Sequence, residues 1–163
     1  MKVFVYIIIG LICMLFASSA SSHISMDLFK PDFAVPLIIY VILFVGPGAG
    51  LIVSLSVGFI QEGLSSAPNG SIMFVMISLF LITTFMKGKL YIDSKYSFAF
   101  LCSAAVILES FLFLILSLLG KGEATNVYNI LFYAIPNAVF TGFVSIFIYA
   151  FIEYLNAAYL DRE

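Results

Sequence analysis

The sequence predicts an all-α fold: a polytopic membrane protein with six transmembrane helices in one bundle and both termini cytoplasmic. Three observations predict it. Of the 163 residues 63% are apolar and only 10% are charged, and the mean hydropathy is +1.18. A soluble domain of this size still exposes a large share of its chain, so it cannot hide that much apolar surface from water. The apolar residues fall in six runs, at 3–20, 33–45, 49–64, 72–86, 98–119 and 130–155. The few charged residues lie almost entirely between the runs. Residues 1–163 therefore read as a single integral membrane domain.

The first run follows Lys2 and ends in Ala17-Ser18-Ser19-Ala20, which also resembles a signal peptide. We read it as an uncleaved first helix; cleavage would leave the other spans unchanged. The first, fifth and sixth runs are long enough to cross alone, since a crossing takes about 20 residues at 1.5 Å each. The second and third are short and are separated by Gly46-Pro47-Gly48. As one helix, residues 33–64 would extend about 48 Å, too long for a hydrocarbon core of about 30 Å. Pro47 would also remove a backbone donor in mid-helix. A tight hairpin of two short helices fits better, with a re-entrant pair as the other arrangement. Six spans with the N-terminus inside put Lys2, Lys87, Lys89, Lys95 and Arg162 on the cytoplasmic side and Lys30 and Lys121 outside, the expected bias. Five spans with the N-terminus outside score equally, so charge places the C-terminus inside without deciding the number of spans. Trp is absent. Tyr91, Tyr96, Tyr128, Tyr133, Tyr154 and Tyr159 flank the loops, where amphipathic rings suit the interface.

Composition excludes several functions. A net charge of −2 gives no basic footprint for nucleic acid. Cys13 and Cys102 both lie in apolar runs without metal-ligand spacing and read as small packing residues. His23 is alone in a loop. No nucleophile–base set, H-E-x-x-H, Gly-rich phosphate loop or paired catalytic carboxylates is visible, so no catalytic, cofactor or metal residue is assigned.

Polar residues inside spans are then the best pointers to function. Glu109 lies near the middle of the fifth run and Glu62 near the outer end of the third. Glu153, near the inner end of the sixth, can reach the interface. Ser103, Ser110 and Ser117 recur every seven residues beside Glu109, giving a face that lets helices approach closely. Asn137, Thr141, Ser145, Tyr149 and Glu153 recur every four in the sixth run, after Pro136, a helix-kinking residue. Glu109 and Asn137 sit at similar depth and are expected to face each other. The plain reading is that they hold two helices together; a proton or ion pathway needs more aligned ionisable groups. Ser54, Gly58 and Glu62, spaced by four, give the third run a small face ending in a carboxylate, a candidate contact for a partner chain or for Lys30. Pro31 and Asp32 suit the first turn of a helix. Pro68 and Gly70 suit the turn that follows the third.

Two stretches carry a resemblance: Phe29-Lys30-Pro31-Asp32-Phe33, and the segment from Gly58 to Gly70, GFIQEGLSSAPNG. They resemble the MreD family of bacterial rod shape-determining proteins. That family starts its second helix with aromatic-Arg-Pro-Asp/Asn. It then shows glycines eight and four residues before an Asp, and a Pro and a Gly six and eight after it. Gly58 matches the second glycine, Glu62 the Asp, Pro68 the Pro and Gly70 the last Gly. Lys30, Ser54 and Glu62 depart from the pattern while keeping charge or small size. The family's acidic residue in the fifth helix and Asn in the sixth match Glu109 and Asn137.

The resemblance implies a non-enzymatic scaffold, without cofactor, of the cell-elongation machinery in the cytoplasmic (inner) membrane. It would bind MreC and through it connect MreB filaments with RodA and its transpeptidase, controlling peptidoglycan synthesis and cell shape. Membrane lipid is the remaining partner. The alternative comes from a fold-level likeness of the MreD family to the substrate-binding membrane subunits of energy-coupling-factor vitamin transporters. In that role Glu62, Glu109, Asn126 and Asn137 would line a ligand pocket.

Overall fold

A computed structural model describes residues 7, 8, 12, 32–64, 70–89, 94–119 and 124–155. The described residues are helical or lie in short turns, with no strand among them. Helix α1 spans Ala34–Tyr40 and runs on into one π-helical turn, Val41–Val45. Helices α2, Pro47–Leu64, α3, Ser71–Met86, α4, Lys95–Leu119, and α5, Ala124–Leu155, follow. Pro47–Leu64, Lys95–Leu116 and Phe132–Leu155 are long and apolar enough to cross a membrane, whereas Ala34–Val45 and Ser71–Met86 are shorter apolar helices. The expected first span lies almost wholly outside the described residues, although Ile7 packs against the core.

The chain breaks between the second and third apolar runs. Gly46 has φ of 141°, a conformation in which a side chain would be strained. Pro47 is the first residue of α2, where its missing N–H is no loss. Across this turn a side chain at position 50 would run into Ile42, so Gly50 lets α2 fold back against α1.

α1 is apolar on every side, and every residue from Ala34 to Ile42 is buried. A helix without a polar face belongs at the centre of a bundle, and α1 indeed touches all four other helices. The largest interface is between α4 and α5. It is close because a side chain at Gly142 would collide with the Ser103 hydroxyl; Ser103 belongs to the small-residue series expected on α4. The outer surfaces of α2–α5 carry large exposed apolar side chains, Phe59, Phe85, Phe100 and Phe143 among them. This inside-out distribution is the one lipid accepts.

Hydropathy placed the last span at 130–155, yet α5 is helical from Ala124. Hydropathy marks what lipid tolerates, and polar Thr125, Asn126 and Asn129 can be helical outside the hydrocarbon.

Candidate functional site

Several polar groups of the described core gather in one layer, where the far ends of α1, α2 and α3 meet the walls of α4 and α5. Asp32 is its centre. Its Oδ1 accepts a hydrogen bond from the Ala34 N–H at 2.7 Å, and its carboxylate also takes the Val35 N–H. It thereby satisfies two of the donors that a helix start leaves open. The backbone N–H of Asp32 donates to Thr141 Oγ1 on α5 at 3.0 Å. The Asp32 side chain also interacts with Gln61 on α2 and with Glu109 on α4. One residue therefore ties α1 to three neighbouring helices.

The hairpin geometry explains the Gln61 contact. Asp32 and Gln61 lie almost equally far in sequence on either side of Gly46, so antiparallel pairing brings them together. Glu109 is 7% exposed. The Asp32 and Glu109 carboxyls lie beside each other, which links α1 to α4.

Glu62 closes the same layer from beneath α3. Its carboxylate accepts the backbone N–H of Gly70 and, through Oε2, that of Met73 at 3.3 Å. Gly70 precedes α3 with φ of 87°, in the left-handed region, which turns its N–H back toward α2. A carboxylate at a helix N-terminus also interacts favourably with the helix dipole. Sequence reasoning offered Lys30 or a partner chain for Glu62; Lys30 lies outside the described residues, and among the described residues the carboxylate joins consecutive helices.

The other sequence-derived residues fall in place around this layer. Ser54 is fully buried, and its hydroxyl donates to the Leu51 carbonyl at 3.0 Å. Gly58 gives α3 room: a side chain there would press on Met76 and approach the Met73 backbone. Pro31 and Pro68 lie outside the described residues. Asn137 sits one turn from Thr141 on the same face of α5 and is itself engaged in an interaction. The expectation paired Glu109 with Asn137; Asp32 is one neighbour of the Glu109 carboxyl.

The periodic polar series on α5 runs along its inward face. Thr141 and Ser145 are fully buried, the Ser145 hydroxyl donates to the Gly142 carbonyl at 2.7 Å, and Tyr149 packs at 5.1 Å from the Phe98 ring and 5.7 Å from that of Tyr40.

Gln61 and Thr141 escaped the sequence reading as members of the layer. The signal for Thr141 was present, since it belongs to the periodic series on α5. Gln61 is next to a singled-out carboxylate but has no periodicity of its own. Gln61 Oε1 and Thr84 Oγ1 are buried without a hydrogen-bond partner among the described residues. Those residues contain no group of three or more His, Cys, Asp or Glu side chains suited to a metal ion.

Chemically, the layer is a set of internal ties. Two helix starts are capped by carboxylates, and one carboxyl pair bridges α1 and α4. Compared with known proteins, the chain matches the family model for rod shape-determining protein MreD over residues 1–158. No curated protein and no solved structure matches it.

Proposed function

This chain belongs to the MreD family of rod shape-determining proteins, and from that membership we propose that it is a non-enzymatic scaffold of the cell-elongation machinery. It sits in the bacterial cytoplasmic membrane as a multi-pass protein. There it binds MreC, and through MreC it connects MreB filaments with RodA and its transpeptidase. The outcome is spatial control of peptidoglycan synthesis.

The match over residues 1–158 carries this reading. It spans both short segments that resemble the family and the residues they contribute to the polar layer. Asp32, Gln61, Glu62 and Glu109 interact with the protein's own helices. That use suits a rigid framework whose outer surfaces hold partners, because a surface keeps its shape only if the helices behind it keep their register. The mechanism is binding, with grooves between helices receiving partner segments.

The test is a mild-detergent pull-down of the tagged protein from its own cells, with partners identified by mass spectrometry. Recovery of MreC with the cell-wall synthases is the expected result. Recovery of a pair of ABC-type ATPases with a large membrane coupling subunit would overturn it in favour of vitamin transport.

A further inference from the structure

The last turn of α1 is wound one residue wider than an α-helix. In an α-helix the Gly46 N–H would bond to the carbonyl four residues back, that of Ile42. It bonds instead to the Val41 carbonyl, five residues back, at 2.9 Å, and Val41–Val45 form a π turn. π turns are rare, so this one needs a cause.

The cause lies at the Ile42 carbonyl. Ile42 is fully buried, where a carbonyl without a donor is unfavourable, above all in a membrane. Its own helix offers it neither an α-type nor a π-type donor. The α-type donor, the Gly46 N–H, is committed to Val41. The π-type donor would come from Pro47, which has no N–H. Lys87 Nζ supplies the missing bond from another part of the chain, at 2.8 Å. Lys87 is held in reach by α3, because its backbone N–H continues that helix by bonding to the Thr83 carbonyl at 2.9 Å.

The Gly46 N–H thus has two carbonyls within its choice, and an ammonium occupies one of them. We propose that Lys87 selects the π register of this turn. With Lys87 on Ile42, Gly46 is left with Val41. Without Lys87, the Gly46 N–H returns to Ile42 and the turn closes as α. An α turn holds one residue fewer in its hydrogen-bonded ring, so Phe44 and Val45 swing round the helix axis. Gly46, at φ of 141°, and exposed Gly48 let the chain absorb that change. The π register places the Phe44 ring 5.8 Å from that of Tyr149; the α register carries it away.

Lys87 is therefore a positioning residue that couples the end of α3 to the turn between α1 and α2. It is half-buried between exposed Met86 and Gly88, and whatever draws its ammonium off Ile42 reshapes that turn. The inference rests on the turn alone and stands apart from the assignment of partners.

The test reads the hydrogen bond and the ring separately, in the full chain in detergent micelles. Val45-Gly46 and Val57-Gly58 are the two Val-Gly pairs in the sequence. Labelling with ¹³C-carbonyl valine and ¹⁵N-glycine therefore isolates the amide signals of Gly46 and Gly58, the second serving as an internal control. In a parallel sample para-fluorophenylalanine at position 44 reports the ring by fluorine resonance. The expected result is that Lys87→Met moves the Gly46 amide and leaves that of Gly58 in place. The fluorine signal should shift toward the position that it takes in Tyr149→Ala, where the neighbouring ring is gone. Lys87→Arg, which keeps a charged donor, should retain the native signals. An unmoved Gly46 amide in Lys87→Met would overturn the proposal. So would a moved amide with the fluorine signal in place, because loss of a nearby charge alone produces that. Movement of both glycine amides would mean general loosening, and Lys87→Arg behaving like Lys87→Met would mean that donation is not the cause; either result overturns it too. Lys87→Ala is the second donor-free variant if Lys87→Met fails to fold.

Discussion

α1 is fastened to α4 and α5 at both ends, by opposite means. At its start the fastening is polar, with Asp32 beside Glu109 and bonded to Thr141. At its π-helical end it is aromatic: Tyr40 and Phe44, centroids 4.7 Å apart, pack against Phe98 and Tyr149. The difference follows from what each end of a helix lacks. A helix start presents free N–H groups, which in a membrane need acceptors from the protein itself. The end of α1 presents free carbonyls, and Lys87 Nζ donates to that of Ile42 at 2.8 Å, leaving the rest of that end to ring packing. Lipid is as apolar as a helix surface, so burial alone gives little drive for association, and specific contacts decide which helices meet.

Breaking the polar end should cost most. Asp32→Leu removes the cap of α1 and leaves Glu109 and Gln61 without their partner. We expect a loss of about 3 kcal/mol in detergent unfolding, where a lost cap costs about 1 and each orphaned polar group about 1. Combined with Glu109→Leu, the losses should fall short of additivity by more than about 1 kcal/mol. A cycle of Glu109→Leu with Asn137→Leu should show weaker coupling. Equal coupling in the two cycles would mean that Glu109 depends on Asn137 as much as on Asp32.

At the aromatic end, Tyr149→Ala should cost about 2 kcal/mol, because three neighbouring rings lose an edge or face contact. Tyr149→Phe removes only the hydroxyl, which lies near Glu153, and should cost less than about 1 kcal/mol. The two ends share no side chain, so Asp32→Leu and Tyr149→Ala together should add to within about 0.5 kcal/mol. Marked coupling would mean that α1 transmits strain along its length.

Glu62→Leu tests the same polar chemistry one helix away. Two backbone donors lose their acceptor, for an expected loss of about 2 kcal/mol, while Glu62→Gln keeps an acceptor without charge and should lose about half of that.

The sequence made some of this comparison legible. The break at Gly46-Pro47-Gly48 could be read because backbone conformation at Gly and Pro is a local property. The polar face of α5 could be read because periodicity is local too. Asp32 could be placed at a helix start, but its reach to Glu109, Gln61 and Thr141 depends on how far the hairpin and α5 slide past each other. Residue spacing identifies a face and leaves its partner open. The same limit applies to Tyr40, Phe44, Phe98 and Tyr149, which are scattered over three helices. The π-helical turn left no mark in an apolar run that suits an α-helix equally well.

Lys87 offers the smallest effect and the finest test. In sequence it is one of the charges that orient the chain. In the structure its ammonium also holds the Ile42 carbonyl, where a cation suits the negative end of a helix dipole. The two roles separate by substitution. Lys87→Met removes donor and charge and should cost about 1 kcal/mol, while Lys89 and Lys95 keep the loop on its side of the membrane. Lys87→Gln retains a donor on a shorter side chain and should recover about half. Unfolding in detergent measures the first role, and labelling of an introduced cysteine from either side of the membrane measures the second. If Lys87→Met leaves stability unchanged, the aromatic rings alone fasten that end of α1. The contrast between its ends then becomes sharper, with hydrogen bonds at one and ring packing at the other.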